Sequence, residues 1–173
     1  MDNEDSFSEE EVERGSDELL ANDNLRLPEG ASVLVRIHAV RSWLTRRQQE
    51  ANVAIGKVAL ALQDVAEQQS TKLRRREQLA LQERIQDVQR QLQYEQQQLK
   101  TYEEAEALFE ECITHMTSNE RALVEYYLAL EDLIQDGTEG SESVSGSQSG
   151  RRRALAEVQR RVEHVGVVQG EDE

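Results

Sequence analysis

From Leu81 to Met116 the chain reads LQERIQDVQRQLQYEQQQLKTYEEAEALFEECITHM, and the spacing of its apolar residues decides the fold. Leu81, Val88, Tyr102, Phe109 and Met116 stand on one column of sevens, with Ile85, Leu92, Leu99 and Ile113 between them. Residues three and four apart share a helix face, so this alternation is the seam of a coiled coil. Glu95 and Glu106 interrupt the seam; a polar residue at such a position sets register and partner choice at a cost in stability. Working outward, the whole stretch from Thr45 to Thr114 is rich in Gln, Glu, Arg, Leu and Ala, all strong helix formers. It contains no proline, and its one glycine is Gly56. Unbroken, a helix of that length would reach roughly 100 Å, and it cannot cover its own apolar stripe. It needs a partner.

Upstream, Ile55, Val58, Leu62 and Val65 form a second run at 3-4-3 spacing, in a different register. The two runs join through Gln68 to Arg76, where Gln69, Lys72, Arg74, Arg75 and Arg76 supply no apolar seam. The expectation is one long helix, continuous or gently broken there; the alternative is that the chain folds back. Gly56-Lys57 lacks both the earlier glycine and the following hydroxyl residue of a phosphate loop. Gly56 suits a kink or a close helix approach instead.

The flanks are shorter. Pro28, the only proline, lies in a turn from Leu25 to Gly30, and Ser32 is placed to cap a helix beginning near Val33. Val33, Ile37, Val40 and Leu44 then run at 4-3-4, with Trp43 as packing anchor and Arg36, Arg41, Arg46 and Arg47 on the polar face. After a polar break at Thr114–Asn119, where Ser118 or Asn119 serves as cap, Leu123, Tyr127, Leu130 and Ile134 mark another helix ending at Asp136-Gly137. Those four residues and Trp43 are read as a second partner interface, beside the main seam. Residues 1–30 are acidic and read as a disordered tail, with Ser6 and Ser8 each three residues before a glutamate. Residues 136–173 are read as a flexible linker and a basic-then-acidic tail. Within it, Arg151, Arg152 and Arg153 are a candidate import or RNA signal, followed by Leu155, Val158, Val162 and Val165 at 3-4-3. The fold class is therefore all-α: a long extended coiled-coil helix spanning much of residues 31–135, shorter flanking amphipathic helices, and disordered tails.

Composition narrows function. With 173 residues, 37% hydrophobic but only 4% aromatic, the chain is lean for a conventional core and fits an elongated helical protein. One cysteine, Cys112, excludes an intramolecular disulfide. No apolar run is long enough to span a membrane and no signal peptide is recognisable, so an intracellular protein is expected. A net charge of −15 opposes binding of the whole chain to a phosphate backbone. Cys112 and His115 lack a second ligand pair, and His38 and His164 stand apart, so no metal site is expected. No catalytic residue, cofactor site or small-molecule substrate is read from the chain.

The layout resembles the THO complex subunit 7 family across roughly residues 25–135. The resemblance rests on an acidic start leading to a short tryptophan-bearing helix, Val33–Leu44 with Trp43. It continues with the step Ala54-Ile55-Gly56-Lys57 opening a long helix, then Glu104-Ala-Glu-Ala-Leu108 before a polar break, then Asn119-Glu-Arg121 and a leucine-bearing helix to Ile134. It implies a nuclear, non-catalytic subunit that pairs through its coiled coil with a larger THO subunit and helps couple transcription to messenger-RNA processing and export. RNA contact would be at most indirect. Two alternatives stand beside it. One is a homo-oligomeric coiled-coil adaptor of bacterial positioning or secretion-escort type, in the cytoplasm. The other is an RNA-binding accessory protein using Arg36, Arg41, Arg46, Arg47 and Arg151 to Arg153.

Overall fold

The computed structural model describes Leu27 and residues 30–116, 118–136 and 146–165. All regular secondary structure among them is α-helical: α1 spans Val33–Gln68, α2 Arg75–His115, α3 Asn119–Asp136 and α4 Gly146–His164. The acidic stretch 1–26, with Ser6 and Ser8, the linker residues 137–145 and the acidic end 166–173 lie outside the described residues.

Local chemistry sets the helix ends. Ser32 holds an extended backbone and its Oγ accepts the Val35 N–H at 3.3 Å, the cap that starts α1. The helix then runs through Gly56 without a break for 36 residues, about 54 Å. At its far end the Ser70 and Thr71 hydroxyls donate to the carbonyls of Glu67 and Gln68, each at 2.7 Å. These are carbonyls that a helix C-terminus leaves without an intrahelical donor. After Gln69–Arg74, α2 opens with the Glu77 carboxylate accepting the Arg74 N–H at 2.9 Å, half of a capping box.

Between these ends the chain reverses. Arg41 Nε and Nη2 donate to Oε1 and Oε2 of Glu110 at 2.6 and 3.1 Å. Seven residues further along α1, Gln48 reaches Glu106 at 2.5 Å, four residues back along α2. Climbing α1 thus descends α2, and the two are antiparallel. The single extended helix expected from residues 45–114 gives way to a hairpin. The reason is physical: Gln69–Arg74, apolar only at Leu73, carries no seam forward, whereas reversal lets α1 cover the stripe of α2 within one molecule. The inner edge of α1 is a column of buried residues at sevens, Ile37, Leu44, Ala51, Val58 and Val65.

Around the lower half of the hairpin α3 and α4 complete a bundle, the base, and α2 packs closely against each of the other three helices. Val40, Trp43 and Leu44 of α1, Tyr102, Ala105 and Phe109 of α2, Leu123, Tyr126 and Leu130 of α3, and Leu155, Val158 and Val162 of α4 form one core. Phe109 meets Tyr126 edge-on with centroids 5.0 Å apart, and Trp43 meets Tyr102 likewise at 6.1 Å. Residues 146–164, read from sequence as part of a linker and tail, are a helix in this core. At Gly150 a Cβ would stand 3.1 Å from the Tyr94 carbonyl oxygen and 3.2 Å from its ring, so glycine permits the approach of α4 to α2.

Burial falls from the base to the hairpin's free end. Phe109→Ala, at a fully buried site, is expected to cost about 3–5 kcal/mol. Leu92→Ala, at a half-buried site toward the free end, should cost about 2 kcal/mol or less. Urea unfolding of the two variants tests the order.

Candidate partner interface

The residues read as the main seam divide into two groups. Tyr102 and Phe109 are in the base core and Leu81 is buried in the hairpin; Ile85, Val88, Leu92, Leu99, Ile113 and Met116 are half-buried. Of the second interface, Trp43, Leu123 and Leu130 are buried, and Tyr127 and Ile134 pack against the same core from half-buried positions. The two expected interfaces thus meet each other inside one chain. Apolar faces on α1, α2 and α3 cover one another, and the seam needs no second chain at Tyr102 or Phe109.

What stays open is the stalk, the part of the hairpin beyond the base. Two helices hide only their facing edges. Val58, Val65 and Leu81 are covered there, whereas Ile55, Leu62, Ile85, Val88 and Leu92 keep part of their surface in water. Val53, Leu60 and Leu79 are largely exposed, at 57%, 64% and 56%. Sequence reading passed over these three because they lie off the seam; large apolar residues on the polar side of a helix were the available signal.

The polar residues are mostly engaged within the chain. Where α1, α2 and α4 meet, a notch of about 270 Å³ is lined by Arg47, Glu50, Tyr94, Tyr102, Arg153 and Glu157, among others. Glu157 accepts the Tyr102 hydroxyl at 2.7 Å and Arg153 Nε at 3.4 Å, and Arg47 approaches it at 3.9 Å. Arg47 also lies 5.1 Å over the Trp43 ring. Arg46 pairs with Glu50 at 3.0 Å, Arg41 with Glu110, and Arg151 with Glu104. Most arginines considered for RNA contact therefore face carboxylates of their own chain. Of the basic triplet, Arg151 and Arg153 turn toward α2 and Arg152 is exposed.

The chemistry available is modest. Cys112 is half-buried; burial, and then the nearby Glu111 and Glu125, push its thiol up, which keeps it protonated and a poor nucleophile. His38 and His115 are exposed and His164 is half-buried. Among the described residues no cluster of three His, Cys, Asp or Glu side chains could hold a metal, and no helix is long and apolar enough to cross a membrane. No protein-family model, curated protein or solved structure matches the chain.

Each tyrosine ties helices together. Tyr126 donates to the Ala105 carbonyl at 2.8 Å, Tyr127 to Glu163 at 2.8 Å, Tyr102 to Glu157, and Tyr94 accepts from Arg153 at 3.3 Å. Burial, reinforced for Tyr102 by its bond to the Glu157 carboxylate, raises the phenols of Tyr102 and Tyr126 well above the ordinary value of 10.0. The folded state therefore holds protons that the unfolded state releases above that value. Stability from these phenols is fully present below about pH 10 and falls as pH rises further. Thermal melts at pH 8 and 11 should show this loss, and it should shrink in Tyr102→Phe, which itself costs about 1 kcal/mol at neutral pH.

Proposed function

We propose that this chain is a non-catalytic interaction subunit of a multiprotein assembly. Its hairpin stalk receives a helix of a larger partner in a THO-like complex acting in transcription-coupled messenger-RNA processing and export. The observation that carries the reading is the half-open edge of the stalk. Ile85, Val88 and Leu92 on α2, with Ile55 and Leu62 on α1, are apolar at helical spacing and only half-covered by their own chain. A third helix laid along that edge would finish the burial that two helices begin, as in a coiled coil of higher order. The base would then act as a rigid mount that fixes the direction of the stalk. The resemblance of the sequence layout to the THO subunit 7 family supports the larger coiled-coil subunits of that complex as partner and the nucleus as location. RNA contact is indirect in this reading, because Arg41, Arg46, Arg47, Arg151 and Arg153 are engaged with carboxylates of the same chain.

Co-expression with the larger THO coiled-coil subunits, followed by size-exclusion chromatography with light scattering, tests the proposal. Co-elution at fixed stoichiometry is expected. The double substitution Ile85→Gln/Leu92→Gln should abolish it while circular dichroism shows the helices retained. Separate elution of the wild-type chain would sink the THO assignment, and co-elution undiminished by the double variant would remove the stalk edge as the contact.

A further inference from the structure

α1 carries a second apolar edge that the described residues leave exposed. Arg46, Val53, Leu60 and Glu67 stand at intervals of seven, and Gly56 lies between the two apolar members. With 3.6 residues per turn this stripe lies about 180° around the helix from the buried column Leu44, Ala51, Val58 and Val65. It therefore faces away from α2, and away from the half-open edge assigned above to a partner helix. Val53 and Leu60 are 57% and 64% exposed. Gly56 is exposed as well, and a Cβ added there would meet nothing within 4 Å. Glycine in a helix interior is destabilising relative to alanine, and no neighbour among the described residues requires it here. A backbone without a side chain, between two exposed apolar residues, fits close approach by another helix from outside.

The order of charges along the stripe says which helix. It reads basic, apolar, glycine-lysine, apolar, acidic from Arg46 to Glu67, and an antiparallel match sets Lys57 of one copy over Gly56 of the other. Laid against itself antiparallel, about a point between Gly56 and Lys57, the stripe is self-complementary. Val53 of one copy meets Leu60 of the other, and Arg46 meets Glu67, each twice by symmetry. A parallel match would set Arg46 on Arg46 and Glu67 on Glu67. Arg46 already reaches Glu50 in its own helix at 3.0 Å, and the antiparallel match would bring Glu67 of the second copy to the same end of the stripe. We propose that a second copy of this chain docks antiparallel along Arg46, Val53, Gly56, Leu60 and Glu67, forming a two-fold dimer with the two bases at opposite ends. This surface is separate from the partner-helix edge, and either can fail without the other.

Sedimentation equilibrium of the full chain is the test. A concentration-dependent dimer is expected. Gly56→Leu and Leu60→Glu should each raise its dissociation constant by at least about tenfold, with helicity by circular dichroism undiminished. Arg46→Glu should weaken the dimer, and Arg46→Glu/Glu67→Arg should restore it, because antiparallel pairing exchanges the two charges. In a Cys112→Ser background, a mixture of Val53→Cys and Leu60→Cys copies should form an intermolecular disulfide, and Val53→Cys alone should not. A chain that stays monomeric at all concentrations, a dimer indifferent to Gly56→Leu and Leu60→Glu, or cross-linking of Val53→Cys to itself would each overturn the proposal.

Discussion

Covering the apolar surface of α2 is the constraint on which the rest of this structure depends. α2 is the helix that every other helix leans on. A helix with one apolar stripe needs one neighbour, but in its lower half α2 offers more than a stripe. Beside Tyr102 and Phe109, the small residues Thr101 and Ala105 are also buried. Thr101 satisfies its hydroxyl on the Gln97 carbonyl at 2.7 Å and so enters the interior without an unpaired polar atom. Ala105 has little side chain, and the Tyr126 hydroxyl reaches its carbonyl directly. Three neighbours are accommodated because the surface of α2 alternates large and small. In its upper half α2 has a seam and little else, and there it has one neighbour.

The same contrast governs energetics. In the base, apolar burial is tied to directional bonds: the few aromatic rings pack edge-on, and tyrosines link α2 to α4, α3 to α2 and α3 to α4. The ion pairs are mostly part-exposed, so each contributes little on its own. Their value is positional. Glu157 gathers Tyr102, Arg47 and Arg153 and thereby holds α1, α2 and α4 at one level. Along the stalk such ties across helices are sparse, and stability rests on Val58, Val65 and Leu81 with half-covered neighbours. A densely tied base thus carries a less buried arm. Regions with fewer buried contacts open at lower free energy, which suits a surface that remodels on binding.

Under the two proposals above, that arm would address two kinds of neighbour. The edge where α1 and α2 meet is apolar and partly wet; the opposite side of α1 is a sparse stripe with a glycine at its middle and opposite charges at its ends. The first asks for an apolar helix to complete a seam. The second, in the proposed dimer, would meet a copy of itself through its charge order. Because the two lie on different sides of α1, occupancy of one leaves the other in place.

The spacing of apolar residues determined, before any tertiary information, that the protein is helical and where several helices begin and end. Ser32 and Ser118 cap helices through hydrogen bonds to Val35 and Arg121, and α1 and α2 end where polar residues displace apolar ones. These are local effects, settled within a turn or two of the backbone. The inner edge of α1 was harder to see. Ala51, which joins Leu44 to Val58, is small and sits among Arg47, Gln48, Gln49 and Glu50, so one column of sevens looked like two unrelated runs. Gly150 and Leu155–Val162 read as the end of a linker and part of a tail, because nothing nearby in sequence announces the Tyr94 surface on which they close. Periodicity states that a face is apolar; it cannot state which other apolar face will cover it. That pairing depends on the direction of the turn at Gln69–Arg74 and on contacts between residues far apart in the chain, such as Arg41 with Glu110. Only the tertiary structure decided that the seam expected to bind another molecule is, over its lower half, the core of this one.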